Sequence, residues 1–90
     1  LKSNIITLGN TLSKVLLLDG KKYSLNNGDK ATKIGLLAQE VMQLFPELVT
    51  KSNDKQGTLS VNYQGLIPIL LNAIKEQQSQ LKKLKEKLID

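Results

Sequence analysis

Hydroxyls, carboxylates and lysines must carry whatever acid–base or nucleophilic chemistry this 90-residue chain performs, because it contains no cysteine and no histidine. Those absences exclude a Ser-His-Asp triad, a Cys-His pair, thiolate or imidazole metal ligation and any disulfide within the chain. Ser3, Ser13 and Ser60 are nucleophiles by residue type alone, and Ser60 fits better at the start of the cap of a long helix. Gln39 and Glu40 stand side by side early in a candidate helix, placed either to orient a reacting segment or to cap and form an ion pair, the structural role being favoured. Asn62 and Tyr63 either line a groove between subunits or act as a helix cap and a core aromatic. Asp19-Gly20, Asn27-Gly28 and Gly57 belong to turns, where glycine supplies the positive φ, and none of them forms a phosphate loop.

Composition narrows the partners. The net charge is +5, yet all thirteen basic residues are lysine and the only aromatics are Phe45, Tyr23 and Tyr63. Bidentate reading of guanine or phosphate favours arginine, and single-strand binding favours aromatic platforms, so nucleic acid is not the expected partner. The longest nearly apolar run, Leu66 to Ile74, is too short to cross a bilayer, and no membrane partner is expected. No metal and no cofactor are expected either. A chain this short makes one small domain with a modest core of Leu, Ile and Val, and help from a partner fits that thin margin.

The elements that must position these residues alternate and are short. Leu8, Leu12, Val15 and Leu16 have helical spacing and predict a helix from about Thr7 to Leu16, stopped by Asp19-Gly20. Lys22 to Leu25 and Thr32 to Ile34 flank the turn residues Asn26-Asn27-Gly28-Asp29 and predict an antiparallel hairpin. A second helix follows Gly35, with Leu37, Val41, Leu44 and Phe45 on one face, and Pro46 ends it. Leu48 to Thr50 and Thr58 to Val61 flank the turn Ser52 to Gly57 as a second hairpin.

The last segment, Leu66 to Asp90, changes coat halfway. Its helix is expected to open at Asn62, whose side chain caps the first turn, with Val61 stapled on Leu66. Pro68 predicts a bend or loosened turn unless the helix proper begins nearer Ile67. Ile67, Leu70, Ile74, Gln77, Leu81, Leu84 and Leu88 then alternate three and four apart, the 3.5-residue repeat of a coiled-coil seam. Up to Ile74 the extra apolar residues Ile69, Leu71 and Ala73 predict a helix walled in by the hairpins and by Leu44 and Phe45. From Lys75 only the seam is apolar, so this half is expected to bury itself against copies of itself. Isoleucine at a with leucine at d favours two strands in parallel coils, and Gln77 sets a polar layer that can fix register, so the seam alone leaves two and three strands open.

Five stretches occur together: Leu1-Lys2-Ser3-Asn4-Ile5, Leu12-Ser13-Lys14-Val15-Leu16, Gly35-Leu36-Leu37-Ala38-Gln39-Glu40-Val41, Phe45-Pro46-Glu47-Leu48-Val49 and Leu59-Ser60-Val61-Asn62-Tyr63-Gln64-Gly65-Leu66-Ile67-Pro68. In order and spacing they resemble the C-terminal intramolecular chaperone domain of phage endosialidases and tail spikes, across essentially the whole chain. The resemblance implies an α+β fold in one domain, residues 1–90, with a head of short antiparallel hairpins and two short helices (1–61) and a long C-terminal helix (62–90). It implies a homotrimer, the helices forming a parallel coiled coil that brings the upstream portion of its own precursor into register. The parent would be a phage virion or bacterial surface protein, from which the domain is released as a soluble fragment.

The resemblance also assigns chemistry. Family members cut themselves within a Ser-Asp pair using a Ser-Lys dyad in the pattern Ser-Asp-x-x-Leu-Lys. Leu1-Lys2 matches the end of that pattern, which makes Lys2 the dyad base and places the Ser-Asp pair just before Leu1. Such a peptidase cuts once, in itself, with no turnover on other substrates. A lysine acts as a base only when desolvation or neighbouring positive charge lowers its pKa, so Lys2 is expected to be packed, not frayed.

Overall fold

The computed structural model describes residues 1–25, 28 and 30–89. Its architecture is α+β. A single turn of helix, α1 (Leu12–Val15), is followed by the hairpin strands β1 (Lys21–Ser24) and β2 (Thr32–Gly35), then by α2 (Ala38–Leu44) and a 3-10 turn at Pro46–Leu48. A second hairpin, β3 (Val49–Lys51) and β4 (Leu59–Val61), leads to the long helix α3 (Leu66–Ile89). The hairpins are separate two-stranded antiparallel sheets, with Lys22 opposite Ile34 in the first and Thr50 opposite Ser60 in the second. The predicted turn of the first hairpin lies outside the described residues except for Gly28, whose φ of +92° is left-handed.

The second hairpin sits one residue along from expectation, because Leu48 closes the 3-10 turn and enters the core instead of starting the strand. Its turn is held by one carboxylate. Asp54 Oδ1 accepts the Thr58 amide at 2.9 Å and Oδ2 accepts the Thr58 hydroxyl at 2.7 Å, while Gly57 takes a φ of +61°. These hydrogen bonds from Thr58 to the charged form hold the Asp54 carboxyl below its usual range.

The core is small. Val41, Phe45, Leu48, Leu66 and Ile69 form one buried cluster, with Val15, Leu18, Leu36, Leu44, Val49 and Val61 packed against it. Val41 is fully enclosed, and a side chain of that kind contributes about 1.5–3 kcal/mol on burial. Leu37, expected on the helical face, stands before α2 with an extended ψ of 125° and is exposed. The apolar spacing over α2 is therefore correct only from Val41 onward.

The first helix is shorter than its periodicity predicts. Gly9 has a φ of +83°, which ends helical geometry on its N-terminal side, and the chain turns helical only at Leu12. Leu12 is buried and Val15 half-buried, whereas Leu8 and Leu16, both expected on the same face, are exposed.

Entry into α3 runs through Asn62, as expected, but the helix proper starts four residues later. Asn62 Oδ1 accepts the Gly65 amide at 3.2 Å. The Leu66 and Ile67 amides then donate to the Tyr63 and Gln64 carbonyls, each at 3.1 Å, in the tighter i to i+3 pattern. Pro68 is the third residue of α3. The first four amides of any helix lack an internal acceptor, so its missing N–H removes nothing. The upper half of α3 is not walled in all round: the head buries Leu66, Ile69 and Ala73, and leaves Ile67, Leu70, Leu71 and Ile74 exposed. A head this small reaches one side of a helix only, so the open stripe runs unbroken from Ile67 downward.

Candidate assembly and processing site

Three features meet around α3. The first is an N-terminal arm, residues 1–10, every one of which is exposed. Its apolar residues stand in the open, Ile5 at 78% and Ile6 at 87% of full exposure, and Asn4 adopts a left-handed φ of 56°. Lys2 lies on this arm and is exposed in the single chain.

The second feature is a clasp that fastens the base of the arm to α3. Glu76 Oε1 accepts the backbone amides of Thr11 at 3.2 Å and Leu12 at 3.0 Å. Thr11 Oγ1 donates to the Ile69 carbonyl at 2.6 Å, and Asn72 Nδ2 donates to the Gly9 carbonyl at 2.9 Å. Thr11 is the one buried polar residue among those described. The amides that open α1 are thus capped by a carboxylate 65 and 64 positions away, not by a neighbour in sequence. Neither Asn72 nor Glu76 is legible as a site residue by type. Their signal is register: Ile69, Asn72, Ala73 and Glu76 follow the helical repeat on one face, so the polar pair continues the buried apolar line of α3.

The third feature is the open stripe of α3. Ile67, Leu70, Ile74, Leu81, Leu84 and Leu88 are all exposed, as is Gln77 between them. At 100° per residue this stripe lies about 120° around the helix from the clasp face. The same helix can therefore hold its own head and offer a seam to another copy without conflict.

Gln39 and Glu40, adjacent in sequence, go separate ways. Gln39 lines an open groove with Tyr23, Leu37, Ser60 and Tyr63. Tyr63 reaches across from the α3 entry so that its hydroxyl accepts the Leu36 amide at 3.0 Å. Glu40 turns towards β1, where its Oε1 lies 3.8 Å from Lys21 Nζ and accepts no hydrogen bond. Lys21 Nζ is bonded to Asp19 Oδ2 at 2.8 Å, and that bond, reinforced by the two carboxylate charges, raises the lysine pKa. Asn62 serves the cap described above. Lys2, Gln39 and Asn62 therefore lie on three different elements. Among the described residues no group of three or more carboxylates gathers to hold a metal ion, and no helix is long and apolar enough to cross a membrane.

Residues 1–50 match the family described as chaperone of endosialidase, a span that runs from the arm through α2 into β3. The chain belongs to this family. Relatives extend the likeness of this chaperone-of-endosialidase chain through α3. It is 35% identical over 95 residues to the long tail fiber protein Gp37 of Enterobacteria phage K3, covering 99% of the chain and 8% of that protein. The long tail fiber protein Gp37 of Enterobacteria phage T2 is likewise 35% identical over 95 residues, with 7% of its length covered. The chain thus spans less than a tenth of the tail fibre relatives it matches.

Proposed function

We infer that this chain is a C-terminal trimerisation chaperone that aligns the upstream portion of a homotrimeric fibre or spike and is then released by autoproteolysis. The observation that carries the first half is the open stripe of α3. An apolar seam from Ile67 to Leu88 with no cover in its own chain needs other copies. A lone amphipathic helix past the head would be marginal in water, whereas three in parallel bury the stripe. The three-strand state rests on the family, and the tail fibre relatives supply the kind of substrate: a long fibre whose chains must start in register. On this reading residues 1–90 act as one unit, the head (1–61) anchored on the helix (62–90).

The second half assigns Lys2 as the base of a Ser-Lys dyad. In its neutral form it accepts the hydroxyl proton of a serine five residues before it as the serine oxygen attacks the scissile carbonyl, passes that proton to the amine that leaves as the peptide bond breaks, and water then hydrolyses the resulting ester. The arm is exposed in the single chain, so the desolvation that a lysine base requires must come from the assembled form. The same exposure favours a second reading, a permanent oligomerisation module in which Lys2 is ordinary surface.

One set of precursors separates the two. A precursor carrying the segment before Leu1 should cut itself during expression, while Lys2→Ala and Lys2→Arg precursors stay whole, because guanidinium does not deprotonate. Equal cleavage of all three on a denaturing gel would remove Lys2 as the base and leave the oligomerisation module. Sedimentation equilibrium on the released chain should give three times the monomer mass, and a monomer at micromolar concentration would overturn the assembly half.

A further inference from the structure

The four hydrogen bonds between the base of the arm and α3 do more than the packing of α1 requires. Leu12, the one buried residue of α1, is already held by burial. What they fix is the point where the arm leaves the head. Gly9 is held by its carbonyl, Thr11 by its hydroxyl and amide, and Leu12 by its amide, all to a stretch of α3 between Ile69 and Glu76. Lys2 lies seven residues before Gly9, within about 25 Å of that anchor at full extension.

The acceptor is placed tellingly along the helix. Glu76 is the last residue of α3 that touches the head in this way and stands next to Gln77, a seam position; every residue from Gln77 to Leu88 is exposed. The carboxylate reaches both amides only when α3 is helical as far as Glu76.

We propose that Thr11, Asn72 and Glu76 are positioning residues that fasten the Lys2 arm to α3 and so shorten the tether on which Lys2 reaches its cutting position. This rests on the autoproteolysis reading above. With the clasp open, the nearest fixed point becomes the buried Leu12, and the tether to Lys2 grows from seven to ten residues. For a flexible arm the effective concentration at its docking surface falls as the −3/2 power of tether length, roughly 1.7-fold, and more for an arm that is ordered when docked.

The test uses the precursor with its upstream segment, followed by cleavage time course, trimer mass and amide exchange at Thr11 and Leu12. Glu76→Ala should remain trimeric, lose protection at both amides and cut more slowly, by up to roughly 1.7-fold from tether length alone. Glu76→Gln, whose amide oxygen still accepts, should restore both protection and rate, which a merely charged surface role would not allow. Cleavage of Glu76→Ala at the wild-type rate would overturn the proposal while leaving autoproteolysis intact. A wild-type precursor that never cuts would remove autoproteolysis, and the positioning role with it. Should Glu76→Ala lose the trimer, Asn72→Ala carries the same comparison, because it deletes only the bond to the Gly9 carbonyl; an unchanged rate there also overturns the proposal.

Discussion

Placing a charge in the seam tests assembly without touching the head. Leu81 and Leu84 are 49% and 54% exposed in the single chain, and both lie beyond Glu76, clear of the core. Covering what remains open on each removes on the order of 100 Å² from water, worth about 2.5 kcal/mol per side chain at 25 cal/mol per Å². Replacing both by Asp in three chains therefore forfeits on the order of 15 kcal/mol of gross association energy. It also brings three carboxylates together in each of two layers, at about 3 kcal/mol per like pair near 6 Å with an effective dielectric of 20. Association at micromolar concentration leaves far less than this in hand. Leu81→Asp with Leu84→Asp should thus run as a monomer in sedimentation equilibrium from 1 to roughly 100 μM, with helical circular dichroism reduced by about the part of α3 below Glu76. Lys82→Asp with Lys85→Asp, off the seam, makes a larger charge change and should stay trimeric. A Leu81, Leu84 double variant that stays trimeric with unchanged melting temperature would refute the seam and hand assembly to the head.

Two further outcomes concern the head. Val41→Ala opens a void at the one fully enclosed side chain and should cost about 2 kcal/mol in chemical denaturation, with the trimer mass preserved; a loss below 0.5 kcal/mol would mean that the cluster around Phe45 is not the core. The Asp54 carboxyl is depressed by its bonds to Thr58, so the stability it lends is present above the ordinary carboxylate pKa and is lost as pH falls through its lowered value. Amide exchange at Thr58 should therefore accelerate, relative to other strand amides, once pH drops below the usual carboxylate range; Asp54→Asn should blunt that dependence, and an unchanged pH profile in the variant would remove the carboxylate from the turn.

Local patterns in the sequence located the elements and their order. Both hairpins, α2 from Val41 onward, the Asn62 cap and the apolar stripe along α3 were legible because each depends on near neighbours or on a regular repeat. The misses share a cause. Leu8 and Leu16 fit the helical repeat, but Gly9 and the bonds from its neighbours to α3 overrode it. Leu71 reads as core by composition and is exposed because the head covers one side of the helix. The clasp was invisible in the sequence because a glutamate capping amides more than sixty positions away leaves no local spacing to find. Gln39 and Glu40 look like one feature, and only the backbone of α2 shows that they face a groove and Lys21 respectively.

The angular separation of the two faces of α3 makes the chain modular. The buried contacts of α3 with the head and the clasp lie at or above Glu76, and the residues from Gln77 to Leu88 are exposed, Ser79, Gln80 and Lys83 bordering a groove beside the arm. The lower helix is thus an interchangeable handle: a coil of different strand number, spliced in phase after Glu76, would present the same head in a new multiplicity. On the trimer reading, drift in the handle's sequence would change how many copies of the chain are gathered while leaving the core and the clasp as they are.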